Sequence, residues 1–142
     1  MVGLSKNQLK QLPKNVIGIT RTNNVQELAE IYTTADVFFN PTLEDNFPTT
    51  NLEALACGTP VITFNTGGSI ETIDNSTGFI VEKGNLENTI RIIRKIKSEG
   101  KEKYSDSCIK RANKYYNKNN KFQEYIKLYE ERMNEFNVSN QI

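Results

Sequence analysis

A chain of 142 residues is one domain's worth of polypeptide, long enough to bury roughly 70% of the surface its unfolded form exposes. Eighteen Lys and Arg against 17 Asp and Glu leave a net charge of +1, which supplies no field for nucleic-acid binding, and the lack of any His excludes Ser-His-Asp or Cys-His nucleophile chemistry within the chain. Hydrophobic residues at 37% and charged residues at 25% are ordinary for a soluble protein; no apolar run approaches the roughly 20 residues of a membrane span, and no signal peptide is visible. Cys57 and Cys108 lack metal-ligand spacing and read as reduced thiols of a cytoplasmic protein.

Met1-Val2-Gly3-Leu4 reads as the tail end of a strand, and Lys6 to Leu12 as a short polar connection closed by Pro13. Val16 to Ile19 follows as a strand, with Thr20-Arg21-Thr22-Asn23 as a turn. Asn24, with Glu27 three residues on, starts a helix whose apolar face is Val25, Leu28, Ile31 and Tyr32. Val37-Phe38-Phe39 is a buried strand ending at Asn40-Pro41. After the next loop and helix come a strand from Val61 to Phe64, a Gly67-Gly68 loop, a short helical turn near Glu71, a turn over Asn75 to Gly78 and a strand Phe79-Ile80-Val81. Short apolar strands alternating with helices imply a doubly wound parallel sheet covered on both faces. Leu86, Ile90, Ile93 and Ile96 recur at helical spacing between an Asn85 N-cap and a Gly100 stop. Tyr104 to Tyr116 and Phe122 to Phe136 continue as helices, the second with a stripe of Phe122, Tyr125, Ile126, Tyr129 and Met133 that suits a core or an interface. Asn137 to Ile142 reads as frayed.

The chemistry concentrates between Glu44 and Ile62. An acidic loop with Pro48 leads into a helix of about two turns, then Gly58-Thr59-Pro60 and the next strand. Thr50 and Glu53 have capping-box spacing, which places the helix start near Thr50. Free N–H groups at a helix start that follows a strand favour phosphate through hydrogen bonding and the helix dipole. Asp45 and Glu53 flank that start with seven residues between them. Carboxylates repel phosphate, so beside a phosphate site they suit sugar hydroxyls. From the residues alone, Glu53 could equally be just a cap, Asp45 a loop carboxylate and Arg21 a surface residue.

This stretch resembles the signature of family-4 retaining glycosyltransferases (glycosyl transferases group 1, GT-B type), E-G-F-G-x-P-x-x-E-A-x-A-x-G-x-P-V. Aligned on Glu53 and Pro60, the first family Glu falls on Asp45, the aromatic on Phe47 and the small helix residues on Ala54 and Ala56. Asn65-Thr66-Gly67-Gly68-Ser69-x-Glu71 is similar to the family's loop after the next strand, and the likeness runs from about Met1 to Val81 and weakly beyond. The chain departs from the family at Asp45, one methylene shorter than Glu, and at Pro48-Thr49, which replaces a glycine-rich turn.

The resemblance implies the C-terminal donor-binding domain of a GT-B enzyme, Rossmann-like and N-terminally truncated: an incomplete nucleotide-sugar-binding domain over 1–100 and C-terminal helices over 101–142. By that resemblance Asp45 is the catalytic carboxylate and Glu53 holds the nucleotide's ribose hydroxyls. Phe47, Pro48, Thr49 and Thr50 bind the donor's sugar and phosphate, Thr20 and Arg21 lie near the base, and Gly67 and Gly68 face the acceptor. The expected activity is transfer of a hexose-type sugar from a UDP- or GDP-linked donor, in cell-envelope polysaccharide synthesis, with no metal or other cofactor. The resemblance also implies a missing first strand and acceptor domain, so that residues 1–142 alone are inactive. Without that central strand, Val37 to Phe39 shows an unpaired apolar edge that invites self-association; either the two strands flanking the gap close directly on each other, or an upstream polypeptide supplies the lost strand. The expected location is cytoplasmic, peripheral at the inner membrane face. The alternatives are a non-catalytic nucleotide- or partner-binding module derived from that domain, and an unrelated α/β nucleotide-binding domain.

Overall fold

The computed structural model describes residues 1–139. Its centre is a parallel sheet of three strands, β1 (Phe38–Asn40), β2 (Val61–Phe64) and β3 (Gly78–Val81), in that spatial order. Every residue of β2 is buried, Val61 and Ile62 completely, so this strand is covered on both faces and carries the core. β3 begins at Gly78 because a Cβ there would strike Val61 O of the adjacent strand.

The helices are α1 (Lys6–Lys10), α2 (Val25–Thr34), α3 (Thr49–Ala56), α4 (Leu86–Glu99), α5 (Glu102–Tyr116) and α6 (Lys118–Ser139), with a 3-10 turn at Gly67–Thr72. The Asn24 and Asn85 N-caps form, each side chain accepting an N–H three residues on, and Gly100 ends α4 at φ +80°. α5 packs along α3, burying Tyr104, Cys108 and Ala112 in the core that holds Leu55 and Ile62. Ser105 Oγ donates to Gly58 O at 2.7 Å, and Lys101 Nζ donates to Thr33 O and Ala35 O at the end of α2. Burial pushes the Cys108 thiol up to about 12, and the nearby Asp74 charge adds to the shift; Cys57 is likewise raised, first by burial. Both cysteines are free.

Several expectations are corrected. Lys6 to Lys10 is a helix, because Ser5 and Gln8 make a reciprocal capping box that the polar composition hid. The two N-terminal segments pair through an isolated parallel bridge between Val2 and Ile19 rather than as full strands. β1 is half-buried because it lies at the sheet's edge, bonded to β2 alone among the described residues. The Val2–Ile19 bridge is not joined to β1, so the flanking segments do not close on each other. Val25 is 82% exposed and leaves the apolar face of α2 to Leu28, Ile31 and Tyr32. α4 is rotated from its expected stripe: Thr89, Ile92 and Ile96 are buried, while Leu86 and Ile90 face solvent. Of the two readings of the α6 aromatic stripe, core or interface, its exposure removes only the first. Asn137 to Ser139 continue that helix, and the expected fraying of 140–142 falls outside the described residues. Among the described residues no helix is long and apolar enough to cross a membrane.

Candidate functional site

The C-terminal ends of β1 and β2 carry the two segments that the sequence singles out. From β1 the chain passes through Glu44 to Phe47 into α3; from β2 it passes through Asn65 and Thr66 into the 3-10 turn. The parallel sheet sets both at one edge, and close backbone packing locks them together. Gly68 N donates to Asp45 O at 3.1 Å. A Cβ on Gly67, which holds φ +44°, would meet Asp45 O, and one on Gly68 would overlap Asn46 O. The Gly67-Gly68 pair is thus required by contact between two loops.

α3 starts one residue earlier than its sequence suggests. Its N-cap is Pro48, which makes no side-chain cap bond, so Thr50 lies inside the helix and the Thr50–Glu53 capping box does not form. Pro48 is buried while Thr49 and Thr50 are exposed, and their N–H groups meet no protein acceptor among the described residues. The Phe47 N–H is engaged by Asp45 Oδ1 at 3.0 Å, an Asx turn, and Pro48 has none to offer. Two unspent amide donors therefore stand at the start of α3, the polarity an anion prefers.

Glu53 is exposed and one of its oxygens, Oε2, accepts from Tyr32 Oη at 3.1 Å. Burial pushes the Tyr32 hydroxyl well above its ordinary range, and the Glu53 charge pushes it further, so it stays a proton donor to that carboxylate. Glu53 Oε1 has no hydrogen-bond partner among the described residues. The sequence places Tyr32 on the apolar face of α2, and no local pattern links positions 21 apart.

Asn51 is a second residue missed. Fully buried on α3, it accepts from Asn40 Nδ2 at 2.9 Å and donates to Thr72 Oγ1 at 2.9 Å. One amide thus joins the end of β1, the first turn of α3 and the 3-10 turn. Thr72 Oγ1 donates on to Ser69 O at 2.6 Å, and Thr66 Oγ1 to Thr42 O at 3.2 Å. Phe47 packs edge-on against Tyr116 of α5, with ring centroids 5.9 Å apart, and borders a cavity of about 610 Å³ that Leu52, Glu71 and Tyr125 also line. Thr20 and Arg21 are exposed beyond the Val2–Ile19 bridge, and no described contact brings them to Asp45 or Glu53.

Comparison with known proteins places these features in context. The family model for glycosyl transferases group 1 matches residues 4–115. Among curated proteins, the chain is 39% identical over 74 residues to the capsular polysaccharide biosynthesis glycosyltransferase CapM of Staphylococcus aureus, covering 51% of this chain and 20% of that one. It is 44% identical over 57 residues to the D-inositol 3-phosphate glycosyltransferase of Paenarthrobacter aurescens (strain TC1), covering 39% of this chain and 14% of the other. Among solved structures, sucrose-phosphate synthase from Thermosynechococcus elongatus superposes with a TM-score of 0.77 at 22% identity, over 90% of this chain and 33% of that one. TarM superposes with a TM-score of 0.69 at 16% identity, over 87% of this chain and 26% of its own. These structures share the α/β fold of GT-B glycosyltransferases. The chain spans a fifth or less of the length of these two curated relatives.

Proposed function

The chain belongs to the glycosyl transferases group 1 family, and from that premise we propose that it is the donor-binding half of a retaining glycosyltransferase that takes a hexose-type sugar from a nucleoside diphosphate. The observation that carries this reading is the pair of unspent N–H groups at Thr49 and Thr50, at the start of the same short helix that presents Glu53. Amides there donate to the diphosphate oxygens and stabilise the group as it leaves, so the chemistry asks no metal of the protein. Glu53 Oε1 accepts from the ribose hydroxyls while Tyr32 holds the other oxygen. Asp45, with Oδ1 turned to Phe47 N and Oδ2 left over, binds a donor-sugar hydroxyl and steadies positive charge near the anomeric carbon. Phe47 and Pro48 shape the loop around the sugar; Thr20 and Arg21 lie toward the base, and Gly67 and Gly68 toward the acceptor.

The similarity to CapM, a capsular polysaccharide biosynthesis glycosyltransferase, supports an envelope polysaccharide as the product. The short coverage of the relatives supports an acceptor domain supplied by upstream polypeptide, without which residues 1–142 do not turn over. The one-sided pairing of β1 supports self-association of this segment when it is alone. The enzyme works in the cytoplasm, at the inner face of the membrane where lipid-linked acceptors sit.

Titrating residues 1–142 with UDP and GDP tests the reading. Glu53→Gln keeps an acceptor for Tyr32 and hence stability, but loses the charge that the ribose diol meets. The expected loss of nucleotide affinity is about 1.5–3 kcal/mol, the scale of a hydrogen bond to a charged group. Equal affinity in parent and variant overturns the assignment of Glu53. Turnover assays with and without the upstream polypeptide separate an enzyme half from a binding module that has lost catalysis.

A further inference from the structure

Arg111 of α5 lies across the end of the 3-10 turn, with its side chain 17% exposed. Nε donates to Thr72 O at 2.9 Å, Nη2 to Glu71 O at 2.9 Å, and Nη1 to Asp74 Oδ2 at 2.7 Å. The guanidinium also lies 5.2 Å from the Tyr115 ring centroid. Tyr116 Oη donates to the same Glu71 O at 3.2 Å, and its ring meets Phe47. Two main-chain carbonyls and a carboxylate are thus read by one planar fork, a geometry that a lysine's point charge does not reproduce. The carboxylate partner is 46% exposed and the Glu71 bond is exposed too, so the part-buried bond to Thr72 O is the least screened of the three.

The other end of this turn grips the acidic loop, through Gly68 N on Asp45 O and through the Gly67 and Gly68 contacts with the loop backbone. Tyr116 touches the loop directly at Phe47. α5 therefore reaches Asp45 and Phe47 by two routes, one through the turn and one through a ring contact. We propose that Arg111 and Tyr116 are positioning residues that set the Asp45–Phe47 loop in its donor-binding geometry; their relevance to donor binding rests on the reading above, while their hold on the loop is tested independently of it. They hold the loop through Glu71, Thr72 and Phe47.

Amide exchange by NMR on residues 1–142 separates positioning from plain packing. In Arg111→Met and in Arg111→Lys, the Phe47 and Gly68 amides are expected to exchange at least about tenfold faster, while Val61 to Phe64 in β2 stay within about twofold of the parent. Tyr116→Phe gives a smaller change at the same two amides, and UDP or GDP affinity falls in step with them. If Arg111→Met does not fold, Arg111→Lys and Tyr116→Phe decide. Loop and β2 amides accelerating in the same ratio, parent-like exchange at Phe47 and Gly68, or full rescue by lysine each overturn the proposal. A parent chain that binds neither nucleotide overturns the donor reading instead, and the exchange ratio still decides whether Arg111 holds the loop.

Discussion

The segments that follow β1 and β2 are neighbours of the same kind, each leaving a parallel strand and entering a helical turn, yet they spend their hydrogen bonds in opposite ways. The turn after β2 is over-determined: Thr72 and Glu71 carbonyls are taken by Arg111, Thr72 Oγ1 by Asn51, and Gly68 N by Asp45. The segment after β1 ends at Pro48 with no side-chain cap and two exposed amides unspent. A helix start normally satisfies such donors with its own cap, so leaving them open costs local stability unless something else holds the loop. The neighbouring turn supplies that hold. Rigidity on one side thus lets the amides on the other stay open, as the proposed anion site requires.

The most damaging way to break this pairing is Gly68→Ala. The new Cβ would overlap Asn46 O, a backbone atom that cannot rotate away, so the two loops must separate. The expected destabilisation is about 3 kcal/mol, the upper range for overpacking, read as a fall in urea midpoint. A stability equal to the parent's would show that the loops are not locked.

Asn51→Ala strikes the joint between the segments from the α3 side. It leaves Asn40 Nδ2 and Thr72 Oγ1 short of a partner in a buried setting. The cost is about 2 kcal/mol, within the range for leaving buried polar groups unsatisfied. Because Thr49 and Thr50 are not part of that bridge, their amides should stay exposed in the variant, which hydrogen exchange can check.

The smallest effect is expected at Asp74, and its pH dependence sharpens the comparison. Burial pulls the Asp74 carboxyl upward, but bonds from the Ser76 hydroxyl and N–H, the Arg111 charge and the Thr77 hydroxyl outweigh it and hold the group below its ordinary value. A depressed carboxyl contributes stability that is present above its unfolded value of about 3.9 and is lost as pH falls through the folded value. Asp74→Asn should therefore cost about 1 kcal/mol at neutral pH, the scale of a half-exposed pair, and the gap from the parent should close in acid. Thermal melts of both proteins from pH 7 down to pH 2 measure it; a gap independent of pH would mean that the charge plays no part.

Much of this layout is legible in the residues because it rests on local rules. The apolar runs at Val61 to Phe64 and Phe79 to Val81, the Asn24 and Asn85 caps and the Gly100 stop depend on neighbours within a turn or two, and each appears where expected. Where two local rules compete, local pattern does not decide the structure. The polar run after Ser5 hid a capping box, while the capping-box spacing at Thr50 and Glu53 misplaced a helix that starts one residue earlier at a buried proline.

By itself the sequence determined the order of strands and helices from α2 onward, the pairing of an acidic loop with a short helix, and the glycosyltransferase signature, since hydrophobic period, turn residues and motif spacing are properties of adjacent positions. Only the tertiary structure decided how those pieces are held and what they leave free. Tyr32 tethers Glu53 from 21 residues away, Asn51 spans two loops, and Arg111 closes on a turn about 40 residues upstream. Such contacts come from a parallel sheet that brings successive strand ends to one edge and from α5 folding back over them; a single chain read in order carries no mark of which distant side chain will meet which carbonyl.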